Sequence, residues 1–159
     1  MSRRALVAGA ALTAALFALG GCSRPDSGAA NVFRSGAAGF RLALPEAWVG
    51  RSQVLEAAAQ TASIRRPKAL HIVQFVYMPA DTARAAQGLL DVTVYDSADW
   101  IALSAEPGPP PGEVIAEREG RVWVASLPQS NPFPGGADSV QYAAMRMDPE
   151  ALKRAFSLL

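Results

Sequence analysis

The chain has 159 residues, about half of them apolar and 18% charged, a balance that fits one folded domain and excludes a disordered chain. Fifteen basic residues against fourteen acidic ones give a net charge of +1. Such a near-neutral chain carries no general attraction for nucleic acid or for an anionic lipid surface. Cys22 is the single cysteine, so no intrachain disulfide can form and the fold must rest on its hydrophobic core.

Arg3 and Arg4 open the chain as a positive segment, and Ala5 to Leu19 follow without a charge. Those 15 residues suit the apolar part of an export signal and fall short of the ~20 that span a bilayer as a helix. The run closes on Leu19-Gly20-Gly21-Cys22, an aliphatic residue and two small ones before a cysteine. This resembles the bacterial lipobox. The resemblance implies cleavage after Gly21 and acylation of Cys22, with residues 1–21 as signal peptide. Removing Arg3 and Arg4 with the signal leaves 13 basic residues against 14 acidic ones. Ser23, not aspartate, follows the cysteine, which favours the outer membrane, facing the periplasm, in an organism that has one. Ser2-Arg3-Arg4-Ala5-Leu6 also looks somewhat like a twin-arginine export signal, so the export route stays open. Residues 22–38 are small, polar and glycine-rich, and are expected to form a flexible tether.

The domain is expected over 39–159. Phe40, Leu42 and Leu44 alternate with Arg41 and Ala43 in the period-two pattern of a half-buried strand that Pro45 ends. Gln53 to Glu56 and Ala62 to Arg66 are weaker strand candidates. Ala69 to Met78 is the strongest, apolar on both faces and therefore central. Leu89 to Tyr95 forms another, and Glu113 to Glu117 with Arg121 to Leu127 form a hairpin about Glu119-Gly120. Ser97 is the expected cap of a short helix carrying Trp100, Ile101 and Leu103. A second helix is expected over Asp138 to Met147, its stripe formed by Val140, Ala144 and Met147. The last helix has Asp148 as N-cap, Pro149 at its first position and a stripe of Leu152, Phe156 and Leu159. Pro-rich loops at 107–112 and 131–136 separate the elements. The pattern predicts an α+β fold, a mostly antiparallel sheet with helices packed against it.

Three phrases occur together. Gly39-Phe40-Arg41-Leu42-Ala43-Leu44-Pro45-Glu46-Ala47-Trp48, Val94-Tyr95-Asp96-Ser97-Ala98-Asp99-Trp100 and Val122-Trp123-Val124-Ala125-Ser126-Leu127-Pro128-Gln129-Ser130-Asn131-Pro132 stand in this order. In order and spacing they resemble small bacterial lipoproteins with a PsbP-like or DcrB-like domain. That resemblance implies a curved, mostly antiparallel sheet sandwiched by helices, and an accessory or binding role with no catalytic residue carried over.

Catalytic apparatus is sparse. His71 is the only histidine and lies in the strongest strand; no Gly-x-Ser-x-Gly elbow accompanies any serine. Neither a serine nor a pair of carboxylates is expected within hydrogen-bond reach of it. One histidine and a lipidated cysteine cannot supply the usual zinc ligands. Asp91, Asp96 and Asp99 offer a hard-cation alternative, although Asp96 and Asp99 also suit a turn and helix start. Arg65, Arg66 and Lys68 form the one basic cluster. Trp48, Tyr77, Trp100 and Trp123 read either as core or as a ligand platform. Phe133, stiffened between Pro132 and Pro134, is the candidate partner contact, unless it folds back onto its own domain. The sequence therefore predicts no enzyme, no cofactor and no metal. It predicts a lipid-anchored binding or assembly module of the cell envelope, attached to the membrane by acyl chains on Cys22 and contacting an envelope protein, not nucleic acid. The alternative is a membrane-tethered protein binding a small ligand or a metal ion, and a third reading is a hydrolase built on His71.

Overall fold

In a computed structural model of the protein, residues 31–58 and 68–159 are described. Cys22, the strand candidate at 62–66, and Arg65 and Arg66 lie outside them. Among the described residues, eight strands and three α-helices make an α+β fold, as the sequence predicts. The strands are β1 (Val32–Ser35), β2 (Phe40–Ala43), β3 (Ser52–Ala58), β4 (Ala69–Tyr77), β5 (Gln87–Asp96), β6 (Glu113–Arg118), β7 (Arg121–Ser126) and β8 (Phe156–Leu158). The helices are α1 (Ser97–Ser104), α2 (Gly136–Met145) and α3 (Pro149–Ala155). The strands divide into two sheets, of order β1-β2-β8 and β3-β4-β5-β7-β6, with every neighbour antiparallel.

The smaller sheet lies over one face of the larger. Alternation places Phe40 and Leu42 of β2 inward with Phe33 of β1, against Val73, Phe75 and Tyr77 of β4 and Val92 and Val94 of β5. Phe33 meets Phe75 edge-on at 5.1 Å, and Phe40 stacks on Phe156 at 5.1 Å. Apolar burial and the Phe33–Phe75 pair, worth ~0.5–1.5 kcal/mol beyond its area, hold the sheets together, while the Phe40–Phe156 pair joins β2 to β8 within the smaller sheet. The other face of the larger sheet carries a smaller cluster of Tyr95, Val122 and Val124, covered by Trp100 and Leu103 of α1.

Local chemistry sets the ends of the elements. Glu119 and Gly120 both take positive φ between the paired Arg118 and Arg121, the two-residue turn whose twist suits a hairpin. Asp148 accepts from the Ala151 amide at 2.7 Å and Pro149 follows, so α3 starts where the sequence places it.

Four expectations are corrected. The tether predicted over 22–38 does not extend that far. Residues 32–35 pair with β2, and Ala38 is buried, because Phe33 and Ser35 point inward in the β1–β2 hairpin. The cap of α1 is Asp96, not Ser97: its carboxylate accepts from the Ala98 amide at 3.0 Å. The buried stripe of α2 is Asp138, Tyr142 and Met145, while Val140 is 73% exposed. Finally, α3 ends at Ala155, and Phe156 begins a strand on β2. The apolar residues of 152–159 read as one helical stripe, but the free edge of β2 accepts their backbone instead.

Candidate functional site: a groove beside the Leu127–Gln129 segment

The groove arises where β7 leaves its sheet. Pro128 has no amide hydrogen to continue a ladder, so the chain turns away after Ser126. The following loop is fastened to α2. Asn131 Nδ2 donates to the Ser139 carbonyl at 2.9 Å and to Ser139 Oγ at 3.1 Å, while its Oδ1 accepts from the Phe133 amide at 3.0 Å. Phe133 is thereby directed inward. It is 7% exposed and meets Tyr77 and Tyr142 edge-on at 5.5 and 5.6 Å.

Phe133 is therefore not a partner contact. The prolines that stiffen the loop, together with the Asn131 clamp, seat the ring in the core instead of presenting it. Nearby, Tyr77 Oη donates to buried Asp138 at 2.8 Å, and the Ala80 amide donates to the same oxygen at 3.0 Å. The Ala80 amide first, then the Tyr77 hydroxyl, with Arg84 and Arg51 adding to them, hold the Asp138 carboxyl below the ordinary carboxylate range. Burial, and then Asp138, push the Tyr77 phenol upward. This network ties β4, the 79–86 loop and α2 together.

Beside the sealed loop are three neighbouring hollows. One of ≈380 Å³ lies between Pro110, Pro111 and Gly112 on one side and Leu127, Pro149 and Leu152 on the other. The next, ≈460 Å³, shares Leu127, Gln129 and Pro149 and reaches Ala143, Arg146 and Met147. A third of ≈170 Å³ adjoins Gly88, Leu90 and Asp91. Leu127 lines all three, so together they form a groove along the departing chain. Gly112 makes the first wall possible: a Cβ there would lie 2.3 Å from the Ala125 carbonyl oxygen.

The groove's polar groups are largely engaged in structure. Ser126 Oγ donates to the Pro111 carbonyl at 2.6 Å and Arg146 to the Pro128 carbonyl at 3.2 Å. Glu113 pairs with Lys153 at 2.7 Å, a contact that raises the lysine pKa. Asp148 is committed to its cap. Such a groove can recognise shape and apolar surface, with Gln129 and backbone groups available for orientation.

The other candidate residues are dispersed. His71 Nε2 lies 3.0 Å from Glu56 Oε1, and Ser35 Oγ hydrogen-bonds the same oxygen. A carboxylate thus stands within reach of His71, although the sequence predicted no carboxylate pair and no serine there. The order of the three is serine, carboxylate, histidine. Nucleophilic catalysis needs the histidine in the middle, and Ser35 is 1% exposed, accepting from the Ala38 amide at 2.9 Å. Asp91 accepts from Gln74, Asp96 caps α1, and Asp99 pairs with Lys68 at 3.7 Å, so the three aspartates are in separate structural roles. Among the described residues no three His, Cys, Asp or Glu side chains gather to hold a metal ion. No helix among them is long and apolar enough to cross a membrane.

Of the aromatic quartet, Trp48 donates to the Met145 carbonyl and Trp123 to the Ala38 carbonyl, both from the core. Tyr77 is buried with them, while Trp100 lies half-buried against Tyr95. They do not share a platform. The groove was missed because its walls come from β5, the 107–112 loop, the exit of β7 and the junction of α2 with α3. Their one sequence signal is proline density near Gly112 and Pro128. No family model, curated protein or solved structure matches this chain.

Proposed function

We propose that this chain is a lipid-anchored, non-enzymatic binding or assembly module of the bacterial cell envelope, with a domain of the PsbP-like or DcrB-like kind. Acyl chains on Cys22 hold it to the membrane, on the periplasmic side of the outer membrane where there is one. The groove beside Leu127 receives an envelope protein. The observation that carries the reading is the Leu19-Gly20-Gly21-Cys22 sequence closing an uncharged run behind Arg3 and Arg4. Two or more acyl chains anchor stably where a single chain does not. The groove supports the binding half of the reading, since Leu127, Met147 and Leu152 give it apolar contact surface beside polar groups that are largely engaged in structure.

The test is metabolic labelling with a radioactive fatty acid. The parent chain is expected to carry label and the Cys22→Ser variant to carry none. Equal label on both would refute the anchor. A second reading, a tethered small-ligand carrier, is favoured by the ≈460 Å³ hollow, whose size falls within the ~300–1,000 Å³ range of ligand pockets. Release of a small molecule on denaturing the purified native protein would support that reading over the first.

A further inference from the structure

The outward face of the three-stranded sheet carries an unusual pairing. Alternation along β1 and β2 turns Phe33, Phe40 and Leu42 inward and leaves Val32, Arg34, Arg41 and Ala43 exposed. Arg34 and Arg41 stand directly opposite each other in the register, and Val32 stands opposite Ala43. Side chains so placed have Cβ atoms ~4.5–5.5 Å apart, and like charges there repel. Neither guanidinium has an ion pair among the described residues. Arg41 donates from Nε to Ser157 Oγ at 2.7 Å, and that bond leaves its charge uncompensated. The chain is near neutral as a whole, yet this face holds two adjacent cations on a partly apolar surface.

The covalent chain sets where that face can be. Only eight residues separate Cys22 from Asn31, immediately before β1, so even fully extended the nine steps between them span about 30 Å. An anchor at Cys22 would keep the β1 end of the domain near the headgroups. Anionic lipid attracts cations near its surface, by ~1 kcal/mol for each lysine or arginine, within a Debye length of roughly 10 Å.

We propose that the Val32/Arg34/Arg41/Ala43 face lies against the anionic phospholipid surface of the membrane that holds the anchor. Headgroup phosphates neutralise the opposed guanidiniums and orient the groove relative to the bilayer. The inference rests on lipidation at Cys22.

The test uses the full chain isolated from the envelope and reconstituted into vesicles of phosphatidylcholine, with or without phosphatidylglycerol. Arginine modification by phenylglyoxal is followed at each site by mass spectrometry. Arg34 and Arg41 are expected to react at least several-fold more slowly when phosphatidylglycerol is present. Protection should vanish at high salt, and Arg121, in the hairpin of the other sheet, should be unaffected. Two arginines at ~1 kcal/mol each set an upper limit of about thirtyfold. Equal rates at Arg34 and Arg41 in both vesicles overturn the proposal. Equal protection in detergent without lipid also overturns it, since a second copy would then cover the face. The intact mass of the same sample separates the two failures. An acylated chain without protection defeats the docking face alone, whereas an unmodified Cys22 defeats the anchor as well.

Discussion

The two faces of the five-stranded sheet are covered in different ways. On one face a second sheet, α2 and α3 close a continuous core that includes Trp48, Phe75, Tyr77, Trp123, Phe133 and Tyr142. On the other, α1 lies over Tyr95, Val122 and Val124 without burying any of its own residues fully, and Ile101 is 67% exposed. The first face fixes the positions of the 127–136 chain and hence the groove. The second supplies a lighter cover. An aromatic residue in a proline-bounded loop and an aromatic residue on a short helix look equally exposable in sequence. Their burial is decided by what lies opposite them.

The largest expected effect that would break this contrast is on stability. Phe133→Ala should cost ~3–5 kcal/mol, the range for deleting a buried aromatic side chain, whereas Trp100→Ala should cost about 1–2 kcal/mol. Chemical denaturation of both variants measures the difference. Equal losses would mean that α1 belongs to the central core as fully as the Phe133 loop does.

Next in size is the polar clamp beneath that loop. Tyr77→Phe removes one donor from Asp138 and leaves the Ala80 amide and the arginines. The melting temperature should fall by several degrees, less than for Phe133→Ala. The sign of the pH dependence follows from the depressed carboxyl. Its contribution is fully present above the ordinary value of 3.8 and is lost as pH falls through the lower folded value. The gap between parent and Tyr77→Phe should therefore be widest near neutral pH and shrink below about pH 4. A gap independent of pH would show that Asp138 is not the partner that matters.

Much of the fold was legible because its signals are local. Alternation marked β2, a run apolar on both faces marked β4, Leu89 to Tyr95 marked β5, Glu119-Gly120 marked the hairpin, and Asp148-Pro149 marked the start of α3. What the sequence hid depends on distant partners. Phe156 and Leu158 became a strand because β2 had an open edge, and β1 was obscured by the glycines and alanines around it. Asp138 occupies the buried side of α2 because Tyr77 and the Ala80 amide, about sixty residues away, satisfy it. The site was less legible than the fold. Phe133 carried the stronger local signal, and Asn131 turned it inward; the groove that remains is assembled from four separated segments.

The smallest perturbation gives the most direct test of the binding role. A photocrosslinking amino acid at Gln129, in the groove, is compared with one at Ile101, on the exposed side of α1, in intact envelopes. The binding account predicts one discrete adduct from position 129, identifiable by mass spectrometry as a single envelope protein, and none from position 101. It also predicts that the adduct is lost when Cys22→Ser removes the anchor. No adduct at position 129, or the same adducts from both positions, would contradict the claim that the groove is the binding surface.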